Sequence, residues 1–227
     1  MLKKIFDFIR NKKNIWLGIS KGKHLEDRLE EELRKNNFIP LRLNILTDKK
    51  QWLILKKEIL QKNNNKDIIN NFPSFTYNTY FRHPYGSQNY PDFLIFTNNS
   101  IIPIELKTSR KNNIKPMWNS NLPKSNCIYI FASFGKKDIT FFKGNDVIEE
   151  KIKLKLLNFF VEIKKIEKKF IDELESNERG WKLYVRTAFE QNKSLLSING
   201  KLNYFLHPWR KEIENRVCEW LKNITKN

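Results

Sequence analysis

Two carboxylates and one ammonium group stand close together near the middle of the chain: Asp92, directly after Pro91, then Glu105 and Lys107 separated by Leu106. In a strand, successive side chains point to opposite faces. Glu105 and Lys107 therefore share one face, while Leu106 points to the other. A hairpin joining 92–97 to 101–107 would bring Asp92 beside them. Carboxylates are hard oxygen ligands suited to Mg²⁺. A cation held there would neutralise the charge that develops on a reacting phosphate and acidify a bound water, which the lysine could orient or help deprotonate. The chemistry this trio suits is phosphodiester hydrolysis.

The spacing alone says little. A carboxylate two residues before a lysine occurs at Asp48, Glu105, Glu149, Glu162 and Glu167, whereas Pro-Asp occurs only at Pro91-Asp92. Context singles out Glu105, whose copy alone lies in an apolar, strand-like run after a second strand that begins with the aspartate. The competing reading is a surface Glu–Lys pair on an edge strand.

The elements that must position these groups read as follows. Residues 22–37 form a helix with Leu25, Leu29 and Leu33 at spacing four and glutamates in its early turns. A strand at 39–46, a helix around 50–61 and a polar loop at 63–67 come next. Asp92–Thr97 and Ile101–Lys107 are strands joined by a tight turn at Asn98-Asn99, and Pro103 suits an edge or an irregularity. Cys127–Ser133 and Lys137–Lys143 are further strands. Beyond Val147 the apolar period lengthens: Ile152, Leu156, Phe159, Ile163, Ile166, Phe170 and Leu174 make a heptad-like seam on a long helix. Its default reading is a core helix covering the sheet; the alternatives are a dimer seam or an arm around DNA. Helices at 180–193 and 208–223 complete the chain. The expected fold is α/β, a mixed central sheet flanked by helices with a helical C-terminal third. Residues 1–147 would form the core with its N-terminal helices, and 148–227 a helical region of the same compact domain.

A length of 227 residues and a hydrophobic content of 40% suit one ordinary folded domain. No stretch approaches the ~18 uncharged apolar residues of a membrane span, and no partner membrane is expected. The amphipathic N-terminus is broken by Asp7, Arg10, Lys12 and Lys13, unlike a secretion signal, so a cytoplasmic location is expected. Cys127 and Cys218 both lie in apolar runs and read as reduced core residues, with no zinc spacing nearby. The formal net charge of +18 and pI near 9.8 favour a polyanionic partner. A chain rich in Lys, Asn, Ile and Phe could owe that charge to an AT-rich coding sequence instead.

With Pro91-Asp92 and Glu105-Leu106-Lys107 embedded in two strands after a helix, residues 22–145 resemble the PD-(D/E)XK nucleases, and within them the type II restriction endonucleases. The resemblance implies a restriction-endonuclease-like core, with Asp92, Glu105 and the carbonyl of Leu106 as ligands to Mg²⁺ and Lys107 at the attacking water. It also implies a glutamate from the first core helix beside the metal; Glu26 fits best and Glu30 is the alternative, against the plain reading of a solvated helix face. Double-stranded DNA would be the substrate, cut in both strands to leave 5′-phosphate ends. The enzyme would be a homodimer matching a palindromic site, with a methyltransferase required genetically to protect the host. Two loops flank the trio, 82–89 and 108–124, and supply candidates for DNA contact: Gln88, Arg110, Trp118, Asn119, Asn121 and Lys124. Asn in such loops also reads as a turn residue, and Trp118 as a packing anchor. The rival functions are a junction-resolving or repair nuclease on the same core, a noncatalytic DNA-binding module, and an assembly factor built on the long helix.

Overall fold

The computed structural model describes residues 1–18, 25–41, 49–61, 77–98, 100–118, 122–174, 185, 189, 191, 197–198 and 201–224. The chain is α/β, organised on a six-stranded mixed sheet in the order β1 to β6. The strands are β1 (Ile39–Pro40), β2 (Thr79–Arg82), β3 (Phe93–Phe96), β4 (Ile101–Ser109), β5 (Ile128–Ser133) and β6 (Asp138–Lys143). Pairing is parallel for β1/β2 and β4/β5 and antiparallel elsewhere.

One face of the sheet is covered by α1 (Leu2–Asn11), α2 (Lys13–Leu17), α3 (Leu25–Lys35) and α6 (Arg210–Ile224). Leu2, Ile5, Phe6 and Ile9 form the inward stripe of α1, and Leu25, Leu29 and Leu33 that of α3. They meet Tyr80, Phe93, Ile95, Ile102, Ile104, Ile128, Ile130 and Phe141 in one continuous core. The opposite face is covered in two separate patches. Over β2 and β3, Leu55 and Ile59 of α4 (Lys49–Gln61) pack on Phe81, Leu94 and Phe96. Over β5 and β6, Leu202, Tyr204 and Phe205 pack on Tyr129, Phe131 and Phe142. Between the patches runs the outward face of β4, which carries Glu105 and Lys107.

The expected hairpin and the two strands after it are present, with ends shifted by a residue or two. Pro103 lies in an interior strand, not at an edge. It is accommodated because β4 pairs with β5 only from Ile104 onward, so at Pro103 a single neighbour, β3, is paired. The sequence signals no strand at 79–82, whose last residue opens the expected loop 82–89, and the structure forms β2 there. Of the expected strand at 39–46 the described part is the short β1, and the loop at 63–67 lies outside the described residues.

The long helix is α5 (Glu150–Glu173), and its environment departs from the default reading. Its only buried side chain is Lys153, while Ile152, Phe159, Ile166 and Phe170 are exposed. Among the described residues the seam covers no strand. Most of 180–193 lies outside the described residues, and the described Val185, Phe189 and Gln191 are not helical. Phe189 makes an isolated bridge to Trp118, and β7 (Ser197–Ile198) pairs with β8 (Lys201–Leu202), so the C-terminal third is not purely helical. α6 then returns to β6, where Arg210 holds Asp138 at 2.8 Å and Thr140 donates to Glu214 at 2.8 Å. No described helix is long and apolar enough to cross a membrane. Both cysteines are buried and free.

Candidate active site

The site forms where β3 and β4 part. Their register ends at the pair Phe93 and Ile104, so Asp92 and Glu105 come one step beyond the ladder, where that register would set them opposite each other. Before Asp92 the chain turns away through the cis Tyr90-Pro91 peptide, and β4 continues beside β5 alone. The Leu106 N–H, which a longer β3 would have engaged, donates instead to Asp92 Oδ2 at 2.7 Å. The aspartate thus completes a strand that has lost its neighbour. The half-buried Leu106 side chain packs into the core beneath.

On the outward face, Lys107 Nζ donates to Glu105 Oε1 at 2.9 Å. The same ammonium lies 5.7 Å from the centre of the Trp118 ring, within reach of a cation–π attraction. Trp118 itself is only 5% exposed and packs edge-on against Tyr129 at 4.9 Å. It is a packed wall of the site and is not presented to solvent. The other oxygen of Glu105, Oε2, is buried and has no hydrogen-bond partner among the described residues. A buried carboxylate oxygen without a donor is costly, and a cation would satisfy it.

The electrostatics agree. Burial, then the charge of Glu105, and more weakly that of Glu26, push the Asp92 carboxyl up to about 7, against the opposing Leu106 hydrogen bond and Lys107. Two carboxylates brought together in a poorly solvated pocket resist both being ionised. A cation beside Asp92 would offset that repulsion and favour its ionised form. Among the described residues no three His, Cys, Asp or Glu side chains are grouped to hold a metal by themselves. A carboxylate pair with a buried oxygen that no described donor reaches is of the kind that suits an ion such as Mg²⁺, which keeps several waters and takes one or two carboxylates from the protein. The residues fit that ion.

Glu26 approaches the site from α3, but it does so as part of a network. Its Oε2 accepts from Arg82 at 3.0 Å and from His83 Nε2 at 2.8 Å. Arg82 also holds Asp27 at 2.7 Å and Glu30 at 2.9 Å, so one guanidinium at the end of β2 ties down three carboxylates of the helix. His83, in the left-handed region at φ 49°, donates its backbone N–H to the Asp92 carbonyl at 2.7 Å. The solvated-face reading of Glu26 does not hold. Glu30, the alternative, is engaged by Arg34, Tyr80 and Arg82; although burial raises its pKa, those hydrogen bonds outweigh it and hold the carboxyl below its ordinary range. Arg82 and His83 were read from the sequence as loop residues; only the approach of α3 to β2, some fifty residues apart, reveals them.

The remaining candidates divide. Gln88 and Arg110 are exposed, on the turn before β3 and directly after β4 respectively. Asn119 and Asn121 lie outside the described residues. Lys124 is corrected: it is 5% exposed, with Nζ 5.9 Å from the Tyr90 ring centre. Burial and the nearby charge of Lys153 lower its pKa to about 8. It sits behind the site, not on a DNA-facing surface. Gly144 explains why. Its N–H donates to the Cys127 carbonyl and Asn145 donates to Ser125, which folds the 124–127 segment tightly against the end of β6.

No known protein family, curated protein or solved structure matches this chain.

Proposed function

We propose that the chain is a Mg²⁺-dependent deoxyribonuclease of the PD-(D/E)XK kind, a type II restriction endonuclease that hydrolyses both strands of a specific duplex site. One observation carries the reading. Asp92 and Glu105 come together just beyond the end of the β3/β4 ladder, with a buried Glu105 oxygen that has no hydrogen-bond partner among the described residues and its other oxygen held by the Lys107 ammonium.

In this reading Asp92, Glu105 and the Leu106 carbonyl would hold the ion. Magnesium, when bound, supplies Lewis acidity that offsets charge on the phosphate and acidifies water. Asp92 would meet the ion as a carboxylate, oriented by the Leu106 amide. Lys107 is kept in place by Glu105 and the Trp118 face, so its ammonium can orient the attacking water and meet the phosphate charge. Glu26, fixed by Arg82 and His83, adds a third carboxylate at the rim. Gln88 and Arg110, both exposed, would contact DNA in this reading. The restriction role implies a cytoplasmic enzyme and a cognate methyltransferase, linked to it genetically.

The test is incubation of phage or plasmid DNA with the protein, with Mg²⁺ or EDTA, beside Asp92→Ala and Lys107→Ala. Discrete Mg²⁺-dependent fragments with 5′-phosphate ends are expected. Each substitution should slow cleavage by at least about a hundredfold while leaving DNA retention intact. Cutting confined to branched DNA would move the assignment to a junction-resolving nuclease. DNA binding without cleavage in any divalent metal would overturn the catalytic reading and leave a binding module.

A further inference from the structure

Where α1 gives way to α2, and the first turns of α6 pass beside them, the surface opens into a cavity of about 470 Å³. That volume suits a small ligand. The three helices pack on the apolar face of the sheet beside edge strand β6. Glu105 and Lys107 belong to the opposite face.

The wall is basic and amide in character. Arg10 and Lys13 come from the α1–α2 corner, and Arg210, Lys211 and Asn215 from α6. Among the described residues one carboxylate lines it, Glu214, which is buried and accepts from Thr140 at 2.8 Å and from Arg210 Nε at 3.0 Å. The cations are not engaged equally. Arg210 is fully committed, to Asp138, Glu214 and the carbonyls of Phe205 and Ile139. Lys13 gives one proton to Asp138 at 2.9 Å and keeps two. Arg10 reaches Asp7 at 2.9 Å and Asn215 Oδ1 at 2.6 Å, which leaves the Asn215 amide nitrogen to donate elsewhere. Lys211 is exposed and forms no ion pair among the described residues. With Lys3, which shares Asp7, five cations meet three carboxylates, Asp7, Asp138 and Glu214. The wall therefore keeps two positive charges in excess.

A phosphate monoester carries a charge of about −1.5 to −2 at pH 7 and three strong acceptor oxygens. Both match the excess charge and the donors left over, and hydrogen bonds between ionised partners are the strong ones. We infer that this cavity binds a small phosphate monoester, no larger than a mononucleotide. Arg10, Lys13, Lys211 and the Asn215 amide hold its phosphate, while Arg210 fixes α6 to β6 behind them. The inference does not rest on the nuclease reading, whose residues lie across the sheet.

Titration calorimetry of the whole protein in EDTA tests it, with inorganic phosphate and adenosine monophosphate as probes and chloride at matched ionic strength as the blank. Each probe should saturate at one per chain with Kd below about 1 mM. Lys211→Glu and Asn215→Asp, both at exposed positions, should each weaken binding at least about tenfold while the urea midpoint stays unchanged. No saturable heat with either probe would overturn the proposal. So would binding that both substitutions leave intact, or binding lost in Lys107→Ala instead, which would assign the anion to the candidate active site. Substitutions that weaken only the retention of a DNA duplex would make the wall a nucleic-acid contact and overturn the small ligand. Cleavage is not measured, so failure here is separable from failure of the nuclease reading.

Discussion

At the scale of single residues, the central fact is that Asp92 is poised to keep a proton. Its carboxyl is pushed from 3.8 up to about 7, chiefly by burial and then by Glu105. A group whose folded pKa lies above its unfolded value stabilises the fold most at low pH. Its contribution is whole below about pH 4 and lost as pH rises through about 7. Metal-free protein should therefore melt at a lower temperature at pH 8 than at pH 6, and Asp92→Asn should flatten that slope. Adding Mg²⁺ at pH 8 should restore the wild-type melting temperature but not that of the variant. A wild-type slope shared by Asp92→Asn would place the proton elsewhere. Much of this site was legible from residue types: Asp92, Glu105 and Lys107 stand together because the hairpin register and strand alternation follow directly from the sequence. The network behind Glu26 was not legible, since it joins residues 52 to 56 positions apart. Nor was the burial of Lys124, which looks in the sequence like any other loop cation.

At the scale of elements, β3, β4, β5 and β6 are announced by apolar and aromatic runs between turn residues. β2 leaves little trace in the sequence because it is short and ends in Arg82, followed by His83, whose polarity reads as loop. α5 shows the limit of periodicity: the seam was plain, but a stripe does not say what covers it. Gly144 is the element-scale joint that fixes the wall of the site. A Cβ there would run into the backbone carbonyl of Lys124. Gly144→Ala should cost roughly 2–3 kcal/mol in urea unfolding. It should also shift Trp118 fluorescence, because Tyr129, which Trp118 packs against, accepts the Lys124 N–H at 2.8 Å. A variant as stable as the parent would show that the 124–127 segment adapts freely.

At the scale of the whole molecule, the +18 charge is not gathered at the candidate site. Exposed Lys151, Lys155, Lys164, Lys165, Lys168 and Lys169 all lie on α5. Whether the excess serves DNA or merely reflects composition is decided by salt. Neutralising several phosphates should cost at least about a hundredfold in affinity between roughly 50 and 200 mM NaCl, measured by gel retardation in EDTA. A loss below about tenfold would mark the charge as compositional.

The Leu106 amide has a further use. Its proton points at Asp92 Oδ2 across 2.7 Å, in a hydrogen bond that tightens when the carboxylate is charged and slackens when it is neutral. One backbone resonance is thus wired to the charge state of the pocket. In a proton–nitrogen spectrum that single peak would titrate with pH and jump on addition of a divalent ion. The chain carries its own indicator dye, readable before any substrate is known.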